Sequence, residues 1–478
     1  MQPDHTQQAS HLRRGPQLPL KIEEFYVKGL FKCLDHKIPF HQDGTTFIHG
    51  PNGCGKTTVL RLLHGILSLN LESVKKIEFE SLHIKFNDDI NLNIIRKIKS
   101  IDKILPEQSS FSEEEEEDVN LTEISFDLSE TNGAKNLKTA EYIFGNEENE
   151  ELAQAIRRNP LIVTKYLPNL IQIGPRNWRE KDSSRVINFN AIVNRYAASF
   201  PYSIPQWFRD RVKRVSLGLI KTQRLIEIAP ETPENIFDND SRPFRDVVGR
   251  YAEELKRLIA ETIEVSALTS QSKERSFPQR ILAGEYQPIK DAELRVLYLR
   301  LQQRLTNLAA NGLQESSTDA TLPIKKLNPT ERRVLSLYLS DLNNKLDTFS
   351  DLQSKIELLK SLFGSKIRRK TFQINRADGF SITDSMNQKP LKPEDLSSGE
   401  QHQLVMLYEL IFSAQGNQLF LIDEPEISLH VEWQRQFLDD LTQVALLRGH
   451  SFLIATHSPQ IINSRIDLAI PLDGGIAE

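Results

Sequence analysis

Apolar positions along this chain change period several times, and the changes mark its elements. Residues 21–30 and 36–40 alternate polar and apolar, which predicts a hairpin. Thr45 to His49 is a short apolar run, which predicts a buried strand. From Lys56 to Leu69 the spacing becomes helical, with Val59, Leu60, Leu62, Leu63, Ile66 and Leu67 on one stripe. Strand patterns return over Lys75–Phe86 and Val119–Leu128, and predict an antiparallel lobe. Residues 140–202 are mixed and read mostly as helix, and Val215–Ile220 reads as a strand. An amphipathic helix is expected over Arg245–Ile263. A long helix then carries Leu294, Leu297, Leu301, Leu305 and Leu308. Another opens at Asn328-Pro329, a cap followed by proline in the first turn, and ends at Gly364. It carries Leu335, Leu342, Phe349, Ile356 and Phe363 at seven-residue steps, with Tyr338, Leu352 and Leu359 in the alternate seam and Lys345 interrupting it. These two helices predict an antiparallel arm on the order of 50 Å long, closed near residues 312–326. Lys370–Asn375 and Phe380–Asp384 flank Asp378-Gly379 and predict a second hairpin. Leu419–Ile422 and Phe452–Ala455 are continuously apolar, as parallel strands buried on both faces are.

Two of these strands end in chemistry. Thr45–His49 runs into Gly50-Pro51-Asn52-Gly53-Cys54-Gly55-Lys56-Thr57-Thr58, the glycine-rich loop that cradles phosphates between a strand and a helix. Its backbone N–H groups, from Gly50, Asn52, Gly53 and Gly55 through Thr58, are candidates to face the phosphates. Lys56 is placed to reach the β- and γ-phosphates and the Thr57 hydroxyl to ligate Mg²⁺, so ATP and Mg²⁺ are the expected cofactors. The second strand, Leu419–Ile422, ends in Asp423-Glu424-Pro425. Carboxylates at a strand's C-terminal end lie where α/β sheets bind ligands. Asp423 is expected to hold Mg²⁺ through water, and Glu424 to orient or deprotonate the attacking water. Phe452–Ala455 ends in Thr456-His457-Ser458, and His457 is read as a sensor of the γ-phosphate.

Composition narrows the class. The chain has 478 residues, enough for more than one lobe, and a net charge of −5 that gives no sign of a strongly basic nucleic-acid binder. Cys33 and Cys54 are its two cysteines, which suits a reducing cytoplasm and excludes a disulfide framework. No apolar run reaches the roughly 20 residues of a membrane helix, and residues 1–19 read as a flexible polar tail. Glu113–Asp118 reads as a solvated acidic loop. Asp238-Asn239-Asp240 fits a metal-binding D-x-D only superficially, since it lies in a loop without a neighbouring strand.

The phosphate loop, Leu396-Ser397-Ser398-Gly399-Glu400-Gln401, Leu419–Pro425 and Ala455-Thr456-His457-Ser458, in this order, resemble the ATPase head of the ABC superfamily. The long insertion between the first two resembles the SMC and RecF-like branch. The resemblance implies an α/β fold: an ABC-type P-loop head with an antiparallel β lobe and a long, coiled-coil-like helical insertion. Residues 20–225 would form the N-terminal part of the head, 226–368 the insertion and 369–478 the C-terminal part. It implies two heads sandwiching ATP, with Ser398, Gly399 and Glu400 meeting the nucleotide of the other subunit. The family's nucleotide- and Mg²⁺-contacting glutamine maps to Gln223, with Gln172 the weaker candidate. The loop Glu426-Ile427-Ser428-Leu429-His430 departs from transporter ATPases and is similar to OLD-family defence ATPases. Lys28–Phe31, Ile220–Leu225, Ser276–Arg280, Ser397–His402 and Asp423–Trp433 resemble the AriA family of the PARIS anti-phage system, with the PtuA family of Septu as second choice. That implies a cytoplasmic homo-oligomer holding a separate effector nuclease, TOPRIM-type or HNH-type, until a phage-encoded trigger arrives. The chain itself is expected not to be a nuclease, because only a short stretch follows His457. The rival expectation is a DNA-repair or chromosome-organisation ATPase that binds duplex DNA directly.

Overall fold

The computed structural model describes residues 20–100, 120–130, 136–143, 150–181, 186–196, 204–220, 226–228, 244–286, 289–314, 327–412 and 416–472. The expected hairpin is present as β1 (Ile22–Leu30) and β2 (Leu34–Pro39). β3 (Thr45–His49) enters the phosphate loop and α1 (Lys56–Leu67) leaves it. The strand expected from Lys75 starts later. Asn70 caps the N–H of Ser73, so α2 (Leu71–Lys75) forms first and β4 spans Ser81–Phe86. β5 (Ile90–Ser100), β6 (Asn120–Glu130) and β7 (Asn136–Ile143) complete a six-stranded antiparallel lobe in the order β2-β1-β4-β5-β6-β7.

The next region is less helical than its composition suggested. α3 (Glu150–Arg158), α4 (Leu161–Tyr166) and α5 (Phe189–Arg195) pack on a three-stranded sheet of β8 (Leu170–Gly174), β9 (Asn177–Glu180) and β10 (Val186–Asn188). Its separate core is built on Leu152, Ile156, Val163, Leu170 and Trp178. Strands this short leave too little alternation to be read. α6 (Gln206–Val212) leads into β11 (Leu217–Ile220), and β12 (Ile226–Ile228) pairs with β13 (Phe244–Asp246).

The insertion holds α7 (Val247–Leu282), α8 (Asp291–Ala310), α9 (Pro329–Asp347) and α10 (Ser350–Gly364). Asn328 caps α9 in a capping box with Glu331. Three expectations about these helices are corrected. α7 runs 36 residues, well past Ile263 and through Pro278. The second long helix is two helices: Thr348 Oγ1 donates to Lys345 O, and Phe349 N–H reaches Leu346 O, only three residues back. Finally, α8 and the α9–α10 pair run parallel. Leu327 N–H donates to Asp291 at the start of α8, Arg304 bonds Asn343 and Asp347, and Asn311 near its end bonds Glu357. The antiparallel partner is α7, which starts with Ala252 against Gly379 and later pairs Arg280 with Asp341 on α9. The antiparallel connection therefore lies between Leu282 and Asp291, not across residues 312–326.

β14 (Lys370–Asn375), β15 (Gly379–Asp384) and β16 (Pro390–Leu391) form a meander. α11 (Ser398–Phe412), β17 (Leu419–Asp423), α12 (Val431–Arg448), β18 (Ser451–Thr456), α13 (Pro459–Ile462) and β19 (Ala469–Pro471) close the chain. The central sheet has the order β11-β17-β18-β3-β19, with every pair parallel. Its two faces share alternate residues of each strand. Leu419 and Leu421 face α1 and the antiparallel lobe; Phe420 and Ile422 face the core of the helical insertion and α11. Parallel strands bring the C-terminal ends of β3, β17 and β18 to one edge, and the motifs meet there.

Candidate functional site

The phosphate loop needs backbone that only glycine adopts cheaply. Gly55 has φ +93°, and a Cβ there would sit 2.9 Å from Leu30 Cδ2. His36 steadies the loop from β2, its Nε2 donating to Cys54 O at 2.7 Å, and burial lowers its pKa. Sequence reasoning missed this residue, because nothing in the hairpin pattern says which strand position lies under the loop. Lys56 is 5% exposed and folds across the loop, its ammonium donating to Gly50 O and Pro51 O at 3.0 Å each. Asn52 and Gly53 are exposed; Gly50, Thr57 and Thr58 are half-buried.

Thr57 Oγ1 donates to Asp423 Oδ1 at 3.0 Å, joining motifs 366 residues apart. Burial raises the pKa of Asp423, the Thr57 bond opposes that, and the neighbouring Glu424 and Glu426 raise it further. A hydroxyl beside a carboxylate in a field of acids is a hard-oxygen donor set, which fits Mg²⁺. Glu424 follows with φ 44° and ψ 57°, a left-handed conformation uncommon for a non-glycine residue. Its N–H donates to Ala455 O at 2.9 Å, tying it to β18. His457, at the end of β18, places Nε2 3.5 Å from Glu424 Oε1. The His457 backbone N–H donates to Glu426 Oε1 at 2.6 Å.

The structure brings together the phosphate loop, Asp423, Glu424 and His457. The other expected residues divide. Ser398 is exposed and Gly399 half-buried at the start of α11; among the described residues no hydrogen bond links them to the phosphate loop. Glu400 closes the first turn of α11. It is 7% exposed, and its Oε2 accepts from Ser397 N–H, Ser397 Oγ and Lys370 Nζ. Burial would raise its pKa, but those bonds outweigh it and hold the carboxyl below its ordinary value. With Glu400 N–H donating to Ser397 Oγ, this is a capping box that engages Oε2. Gln172 lies on β8 in the separate three-stranded sheet, its amide donating to Gly174 O, so it does not belong to this edge. Gln223, Asp238, Asp240 and Glu113–Asp118 lie outside the described residues.

A model of the AAA ATPase domain family matches residues 20–462. The chain belongs to this family, AAA_15. No curated protein matches it. Among solved structures it is similar to the Smc head domain of Pyrococcus furiosus, with an extended coiled coil and bound to the C-terminal domain of ScpA. Identity there is 12% over 93% of this chain and 91% of that one, with a TM-score of 0.31. For the SMC head domain of Thermotoga maritima the values are 11%, 94%, 92% and 0.29. The AAA_15 chain is thus a mixed α/β P-loop ATPase, with antiparallel sheets and a long helix inserted into its head. Among the described residues, no helix is long and apolar enough to cross a membrane.

Proposed function

We propose that ATP is hydrolysed at the edge formed by β3, β17 and β18. The Thr57–Asp423 hydrogen bond carries this reading, because it assembles the two halves of a nucleotide site from opposite ends of the chain. In this reading Lys56 leaves its loop carbonyls for the β- and γ-phosphates. Thr57 and Asp423 hold Mg²⁺, which would neutralise phosphate charge. Gln223 is the proposed further contact. Glu424 orients the attacking water and takes its proton, and His457 senses the γ-phosphate. The exposed Ser398 and the N-terminus of α11 then serve a second copy, so that two heads close on two ATP molecules. Glu424→Gln should keep ATP affinity, slow turnover by at least ~100-fold and accumulate the ATP-bound assembly. Steady-state hydrolysis and light scattering read both; an unchanged rate would move the catalytic carboxylate elsewhere, Glu426 first.

The product of such turnover is a conformational state. The motifs resembling the AriA family support a cytoplasmic sensor and scaffold in anti-phage defence, holding a TOPRIM-type or HNH-type nuclease and releasing it when a phage-encoded trigger binds. Co-purification of such a nuclease, lost with Lys56→Ala, tests that role. One observation favours the rival DNA-binding reading. On the outer face of the three-stranded sheet, Ile171, Arg179 and Val186 stand in register and are exposed, with Arg176 and Lys181 exposed beside them. Duplex binding that weakens steeply with salt, and whose slope falls on Arg179→Ala, would support it.

A further inference from the structure

The ladder between β17 and β18 ends at Asp423 and Ala455, one residue short of Glu424 and two short of His457. Beyond it, side chains hold the two loops together. Glu426 Oε1 accepts the His457 N–H at 2.6 Å. Gln434, one turn into α12 and half-buried, makes the second tie. Its Nε2 donates to Leu429 O at 3.1 Å and Glu426 O at 3.3 Å, gripping the turn after Glu424. Its Oε1 accepts from Ser458 Oγ at 2.8 Å, gripping the residue after His457. Only a neutral amide both donates twice and accepts here; a carboxylate loses the donors and an apolar residue loses everything. The need for a clamp is local. Glu424 sits in a left-handed conformation, which persists only where surrounding contacts over-determine it. His457 Nε2 meets Glu424 Oε1 at 3.5 Å, and a small rotation of either loop would separate them.

We propose that Gln434 is a positioning residue for ATP hydrolysis, locking the acid turn after β17 to the histidine loop after β18 through Ser458. The inference rests on the reading that Glu424 and His457 act together on the nucleotide. Gln434 touches no nucleotide, so its removal lowers turnover without lowering affinity. The test measures kcat, ATP affinity with a fluorescent analogue, and melting temperature for the wild type, Gln434→Leu, Ser458→Ala and Ser458→Thr. Gln434→Leu should lose roughly 10–100-fold in kcat with ATP affinity within about 3-fold, the pattern of a lost transition-state interaction. Ser458→Ala deletes one atom of the clamp and should lose roughly 3–10-fold in kcat, while Ser458→Thr keeps the hydroxyl and restores it. Wild-type kcat in both Gln434→Leu and Ser458→Ala overturns the clamp. So does a kcat loss matched by equal losses of affinity or melting temperature, or one in Ser458→Ala that Ser458→Thr does not repair. A wild-type rate in Glu424→Gln overturns the site reading instead, which keeps the two failures distinct.

Discussion

Lys56 is buried, and its ammonium donates to Gly50 O, Pro51 O and Cys54 Sγ, all within its own loop, so the rest of the fold does not need its charge. Lys56→Ala is expected to abolish ATP binding while the far-UV spectrum and melting transition survive. Calorimetry showing near wild-type ATP affinity would sink the phosphate-loop assignment. His450 is the opposite kind of residue, placed just before β18, at the other end of that strand from His457, and sensitive to pH. It is 3% exposed, with Nδ1 accepting from Gln418 N–H and Nε2 donating to Leu410 O, both at 3.1 Å. Burial first, and Arg448 second, lower its pKa from 6.5 to about 4. The unfolded chain therefore takes up this proton before the folded chain does. The stability it contributes is complete above about pH 6.5 and is lost as pH falls towards about 4, roughly 3 kcal/mol in all. Thermal melts between about pH 7 and 4.5 should fall more steeply for the wild type than for His450→Asn. Parallel slopes would mean the imidazole ionises as freely in the fold as out of it.

At the scale of elements, the seven-residue seam means something different in α9 and α10. In α10, with Phe349 at its start, the seam is buried against the head: Phe349, Ile356 and Phe363 are 3%, 0% and 0% exposed. Phe363 meets Phe372 of β14 edge-on at 5.1 Å. The buried Lys366 next ties the end of α10 to Asp440 on α12. In α9, Leu335 and Leu342 are only half-buried and Tyr338 is 52% exposed; Leu339 and Leu346 do the packing. Phe349→Ala and Ile356→Ala should therefore each cost about 2–5 kcal/mol, because each leaves a cavity in the head. Tyr338→Ala should stay within about 0.5 kcal/mol. Urea unfolding separates these cases, and a Phe349→Ala/Ile356→Ala double mutant with wild-type stability would show that α10 is not a packing surface.

For the whole molecule, the expected output is a nucleotide-dependent shape. Among the described residues, no group of three or more His, Cys, Asp or Glu side chains is placed to hold a metal ion. The purified chain, incubated with DNA and RNA plus Mg²⁺ or Mn²⁺ and ATP, is expected to cleave neither. Cleavage that survives repurification and disappears with Asp238→Ala or Asp240→Ala would make the chain its own effector. Coupling to a separate effector requires that partner to prefer one nucleotide state, since equal affinity for both transmits nothing.

What could be read from the chain and what could not differ by range. The phosphate loop, the acid pair after β17 and the histidine after β18 were legible because each is a short strand followed by residues whose chemistry is local. Fully apolar runs announced the parallel sheet, since both of its faces are covered. The Asn328 cap and the Asp378-Gly379 turn were legible for the same local reason. The rest depended on contacts between distant segments. The pairing of Glu400 with Lys370, 30 residues earlier, left no signal in the sequence. The heptad seam named apolar positions but not the surface opposite them, so periodicity alone could not show α8 lying parallel to α9. Gln434 and Ser458 carry no motif, and only the fold brings their side chains to 2.8 Å. Local patterns thus named the candidate residues and the elements that carry them. Tertiary packing alone decided which of them face one another, because hydrogen-bond geometry across loops is set by the elements that carry them.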